Sequence, residues 1–236
     1  MEALVIFLHG SGDTGPGVRD WVNQYSFESR LGSVGVSVQF PTATPRPYTL
    51  WGGETGTVWM NRLGLNPDAE EETTSIKESM SKIDGIIDKA LEEKLVSSPS
   101  RIFVGGFSQG GCLALYIGLS GKYQGNLGGI FCCSGFLPNT TFAISNIVNP
   151  KEASTVSEET ESPGVLSFDS KSKQPVLMLH GDSDSMVSCQ WGEATAKRLS
   201  NLGMKVSFEK VPNLEHQLNG HVIDRIIYLI KSQMNY

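Results

Sequence analysis

The segment that most narrows what this chain can fold into is Arg101-Ile102-Phe103-Val104-Gly105-Gly106-Phe107-Ser108-Gln109-Gly110-Gly111. An apolar run of strand length stops at a serine between glycines, and a helix-like stretch, Cys112-Leu113-Ala114-Leu115-Tyr116-Ile117, follows at once. Gly106-Phe107-Ser108-Gln109-Gly110 fits the G-x-S-x-G pattern of a sharp strand-to-helix turn. The strained backbone of that turn crowds its neighbours and wants flanking residues without side chains. It also pushes the serine Oγ out to where a substrate reaches it. A plain Gly/Ser connector is the alternative reading, and the strand before the serine with the helix after it argues against that.

Other short β-branched and aliphatic runs fall at Ala3–Leu8, Val34–Phe40, Gly129–Cys133, Pro175–His180 and Lys205–Val211, with helical patterns between them. Such alternation predicts parallel strands joined by crossover helices. The clearest helix is expected over about Ser75 to Leu95, with Ile76, Met80, Ile83, Ile87, Leu91 and Leu95 spaced by three or four. Ser75 and Glu78 give it an S-x-x-E capping signature. A last amphipathic helix is expected over about Gly220 to Ser232, with Val222, Ile223, Ile226, Ile227 and Ile230 on one side.

A chain of 236 residues with 39% hydrophobic content suffices for one α/β core over 1–236 without a second domain. Its net charge of −6 argues against nucleic acid as a partner. Cys112, Cys132, Cys133 and Cys189 lack C-x-x-C spacing and read as reduced packing residues. Ala3 to Leu8 is too short for a secretory or membrane-spanning segment, which makes the cytoplasm the expected compartment. Transient contact with a membrane surface stays open, and the Asn139-Thr140-Thr141 sequon reads as chance.

Two stretches break the alternation. Pro41 to Leu63 is rich in Pro, Gly and Thr and holds Trp51 and Trp59. Asn139 to Gln174, about three dozen residues loaded with Ser, Thr, Glu and Lys, reads as a long polar insertion at the surface.

A serine needs a base to take its proton at neutral pH, and the base needs an orienting group. In folds with such a turn the partners follow the serine as acid, then histidine. Downstream lie only His180, His216 and His221. His180 ends a strand and reads as shaping the turn that carries the acid. His216 sits just past the strand Lys205–Val211, where the base is due, and His221 at the start of the last helix is the runner-up. Asp182 and Asp184 compete as the acid, and spacing does not separate them.

Phe7-Leu8-His9-Gly10-Ser11-Gly12-Asp13-Thr14-Gly15, Gly105-Gly106-Phe107-Ser108-Gln109-Gly110-Gly111 and His180-Gly181-Asp182-Ser183-Asp184-Ser185-Met186-Val187 stand in this order. They resemble the LHGxGDxG, GGFSQGG and HGxxDxxV segments of the phospholipase/carboxylesterase family of α/β-hydrolases, which includes the acyl-protein thioesterases and lysophospholipase-like proteins. The resemblance implies an α/β-hydrolase fold, a mostly parallel central sheet with helices on both faces. Because the chain begins at the strand bearing His9, the sheet is expected to be truncated at its N-terminal strands.

The resemblance implies Ser108 as nucleophile, Asp184 as orienting acid and His216 as base. It also implies an oxyanion hole from the backbone N–H groups of Ser11 and Gln109, each donor worth on the order of a hundredfold in rate. It requires no metal and no organic cofactor. The segment from Pro41 to Arg62 looks most like the lysophospholipase-like branch. There Trp59 is the candidate for lining the acyl groove, with a core role as the alternative, and Asn61 stands where thioesterases usually show aspartate. The implied activity is hydrolysis of acyl thioesters or carboxylic esters, with S-acylated proteins or small acyl esters as substrates. Acyl-protein thioesterase is the leading form, and short-chain carboxylesterase or lysophospholipase the alternative. A non-catalytic binding protein of the same fold is the remote one.

Overall fold

The computed structural model describes residues 1–144 and 174–234. Most of the expected insertion, 145–173, lies outside them. The chain runs β1 (Ala3–Leu8), α1 (Gly15–Asn23), α2 (Phe27–Gly32), β2 (Val36–Gln39), β3 (Pro45–Pro47), β4 (Thr55–Thr57), α3 (Thr73–Glu92), β5 (Ile102–Phe107) and α4 (Gln109–Ser120). It continues through β6 (Gly129–Cys133), β7 (Val176–Gly181), α5 (Cys189–Asn201), β8 (Val206–Val211) and α6 (Gly220–Gln233). Among the described residues six strands form one sheet in the order β2-β1-β5-β6-β7-β8, every neighbour parallel.

The period of two along each strand sorts the core into two layers. Leu4, Ile6 and Leu8 of β1 with Ile102 and Val104 of β5 meet α3, α4 and α5 on one face. Ala3, Val5 and Phe7 with Phe103 and Phe107 meet α1, α2 and α6 on the other. Helix α4 is buried from Gln109 to Leu119, which accounts for its uniformly apolar sequence. On α3 the stripe Ile76, Met80, Ile83 and Ile87 is buried as its spacing requires, each side chain worth about 1.5–3 kcal/mol.

Some boundaries differ from the sequence reading. Strand β5 runs on through the glycines to Phe107, and β2 is shorter than Val34–Phe40. Helix α3 begins at Thr73, and its cap is Glu72, whose carboxylate accepts the N–H groups of Thr74 and Ser75. The Ser75–Glu78 box is therefore not formed. Ser75 Oγ instead accepts the N–H of Asn61 at 2.9 Å, and Glu78 pairs with Arg46. The Pro- and Gly-rich stretch contains a small antiparallel ribbon, β3 with β4. Its three-residue strands are too short to leave a periodic signal.

Candidate functional site

Loops at the carboxyl ends of β1, β5, β7 and β8 converge, as ligand-facing loops do in open parallel sheets. The loop after β5 is the tightest. Ser108 has φ 52° and ψ −119°, a conformation that non-glycine residues rarely adopt, and its N–H donates to the Cys133 carbonyl at 2.8 Å. A Cβ on Gly106 would stand 2.2 Å from the Leu8 carbonyl oxygen, and one on Gly110 2.3 Å from the same atom. The glycines beside the serine are there because two backbones touch.

His216 Nε2 lies 3.0 Å from Ser108 Oγ, and His216 Nδ1 lies 2.7 Å from Asp184 Oδ2. A carboxylate only accepts, so Nδ1 carries the proton and Nε2 presents its lone pair to the serine hydroxyl. Asp184 is buried, and its second oxygen accepts the N–H groups of Met186 and Val187 at 3.0 and 2.8 Å. This chain of contacts is able to draw the proton from Ser108 as the oxygen attacks a carbonyl carbon.

The competing candidates take other posts. Asp182 Oδ1 accepts the Asn213 N–H at 2.7 Å and so fastens the loop that carries His216. His180 is buried, donates from Nε2 to the Val187 carbonyl at 2.8 Å, and braces the acid turn. Burial keeps its pKa below the ordinary histidine value. His221 is exposed and pairs with Glu209 at 2.5 Å, away from the serine.

The turn Gly10–Ser11 lies over the elbow, with a Cβ on Gly10 3.6 Å from Ser108 Cβ, and Ser11, Ser108 and Gln109 line one cavity. Gln109 opens α4, and the first N–H groups of a helix have no acceptor within it. His9 holds the turn from beneath. Its Nε2 accepts the Ala43 N–H at 2.9 Å, so the proton sits on Nδ1 and goes to the Gly10 carbonyl at 2.6 Å. Burial lowers the His9 pKa and keeps this neutral tautomer. Strand β4 adds a further tie, Gly12 N–H to the Thr57 carbonyl at 3.0 Å.

Trp59 does not line a groove. It is wholly buried, its Nε1 donates to the His9 carbonyl at 2.9 Å, and its backbone N–H reaches Gln109 Oε1 at 2.6 Å. An indole needs a partner for its N–H, and the partner here lies inside the fold. The cavity wall beside Ser108 is instead Tyr48, Arg62, Leu65, Cys112, Ser134, Phe136 and Val187 around about 30 Å³. Arg62 ends the segment that resembles the lysophospholipase-like branch. Its one sequence signal is a lone cation closing an apolar segment.

The parallel sheet, the elbow after β5 and the loops after β7 and β8 define an α/β-hydrolase fold. Comparison with known proteins narrows this. Residues 1–233 match the phospholipase/carboxylesterase family. Lysophospholipase-like protein 1 of Mus musculus is 32% identical over 225 residues, covering 95% of this chain and 84% of the relative. Acyl-protein thioesterase 1 homolog 2 of Dictyostelium discoideum is 29% identical over 234 residues, covering 98% and 93%. Among solved structures, SOBER1 of Arabidopsis thaliana superposes with a TM-score of 0.78 at 26% identity, covering 99% of this chain and 100% of that one. The chain belongs to the phospholipase/carboxylesterase family.

Proposed function

We propose that this chain hydrolyses acyl thioesters and carboxylic esters through an acyl-enzyme on Ser108, with S-acylated proteins or small acyl esters as substrates. One observation carries the reading: the Ser108 hydroxyl, the His216 ring and the Asp184 carboxylate stand in line at 3.0 and 2.7 Å. His216 takes the Ser108 proton while Oγ attacks the acyl carbonyl. The tetrahedral oxyanion forms beside the N–H groups of Ser11 and Gln109. The leaving thiol or alcohol takes the proton from His216, and a water activated by the same ring then releases the acid. The substrate class is supported by the names of the relatives, which are acyl-protein thioesterases and a lysophospholipase-like protein. Four free cysteines support a cytoplasmic setting.

A fluorophosphonate probe is expected to label the wild type and not Ser108→Ala. Equal labelling of the two would overturn the assignment of the nucleophile.

A further inference from the structure

Arg62 is 8% exposed, yet no described carboxylate forms an ion pair with its guanidinium. Nη2 donates to Cys112 Sγ at 3.1 Å, and the guanidinium plane lies 4.7 Å over the Phe136 ring. A thiol is a weak acceptor and a ring face a weak counter-charge, so these contacts leave the permanently charged guanidinium able to take a stronger acceptor. Burying such a cation without an anion is costly. The group borders the same cavity as Ser108. Tyr48 borders it too, buried and hydrogen-bonded with the Ser11 and Gln109 side chains, and burial pushes its pKa further up.

The cavity is small, about 30 Å³, so what it encloses beside Ser108 is a short group. An apolar occupant would also leave the Arg62 guanidinium in its wall without a strong acceptor.

We propose that the cavity beside Ser108 is an acyl subsite for a short acyl group ending in a carboxylate, which Arg62 and the Tyr48 hydroxyl hold. The inference rests on Ser108 as nucleophile and gives the acyl group its chemistry: the half-ester or half-thioester of a three- or four-carbon dicarboxylic acid. Arg62 binds the far carboxylate bidentately, and the near carbonyl is thereby held over Ser108 Oγ.

The test compares succinyl and levulinoyl thioesters of N-acetylcysteamine, which differ only by an oxygen anion replaced with a methyl group. Wild type is expected to favour succinyl by about tenfold or more in kcat/KM. In Arg62→Met that ratio should fall to about one, and Arg62→Lys should keep part of it. A wild-type ratio at or below one overturns the proposal. A ratio unchanged in Arg62→Met does so as well, since Arg62 would then be only a wall. If Arg62→Met does not fold, protection of wild-type Ser108 from the fluorophosphonate decides. Succinate should protect at about a tenfold lower concentration than butyrate, and equal protection overturns the proposal. Loss of the underlying reading has a different signature: neither thioester is turned over and Ser108 is not labelled, in which case the subsite falls with it.

Discussion

The elbow and the acid–base corner are held in place by different physics. Around Ser108 the geometry is steric. Gly106 and Gly110 press on the Leu8 carbonyl, and the serine φ of 52° follows from a turn with no room to relax. Around His216 the geometry is polar. Asp182 fastens Asn213, Asp184 orients the ring, and His180 ties the acid turn to Val187. A steric lock admits no added atom and is indifferent to pH, whereas a hydrogen-bonded lock tolerates changes of size and responds to protonation.

The largest expected effect is on the steric side. Gly106→Ala puts a Cβ 2.2 Å from a backbone oxygen, and its cost should be about 3 kcal/mol or more. At about 2–4 °C per kcal/mol for a chain of this size, the melting temperature should fall by roughly 6–12 °C. An unchanged Tm would mean that the elbow is not sterically locked.

Within the polar corner the two aspartates should separate. Asp184→Asn is expected to lower kcat by about 10⁴ with little change in Tm, because the amide no longer selects the reactive tautomer. Asp182→Ala should cost only about tenfold, through a loosened loop. Equal losses would dissolve the distinction drawn between them.

The smallest effect is the pH response. Burial lowers the His9 and His180 pKa values below the ordinary value of about 6.5. As pH falls through 6.5 the unfolded chain takes up protons that the folded chain refuses, so stability is present above 6.5 and declines below it. Hydrogen-exchange protection factors, corrected for the intrinsic slowing of exchange with falling pH, should drop over Asp184–Ser188 between pH 6.5 and 5.5 while the amides of α4 keep theirs. Parallel loss in both segments would show that the elbow is not exempt.

What could be read from the sequence followed the range of the forces involved. The elbow, the sheet strands and the α3 stripe are local patterns, and they survive in the structure with boundaries shifted by a few residues. The capping box failed because the helix starts earlier, on the Glu72 carboxylate, which leaves Ser75 inside the first turn with its Oγ free to accept the Asn61 N–H. Trp59 was read as a groove residue with a core role as the alternative, and the core role is the one it takes, because the carbonyl that accepts its indole proton belongs to His9, 50 residues away. Asp182 and Asp184 are two residues apart in one turn, so spacing does not separate them; the family resemblance implied Asp184, and the three-dimensional paths to Asn213 and His216 give each its own post. Arg62 had no legible role because its contacts, Cys112 and Phe136, lie far along the chain.

The strand order also has a consequence for synthesis. The site residues arrive on β5, β7 and β8, and each strand from β5 onward pairs beside the one before it, so that β8 closes the sheet as an edge. Domains form from the N-terminal side as the chain emerges. A ribosome-bound chain that already holds the Ser108 turn thus still lacks its base. With His216 as the proposed base, turnover requires β8 to be docked, the last strand among the described residues.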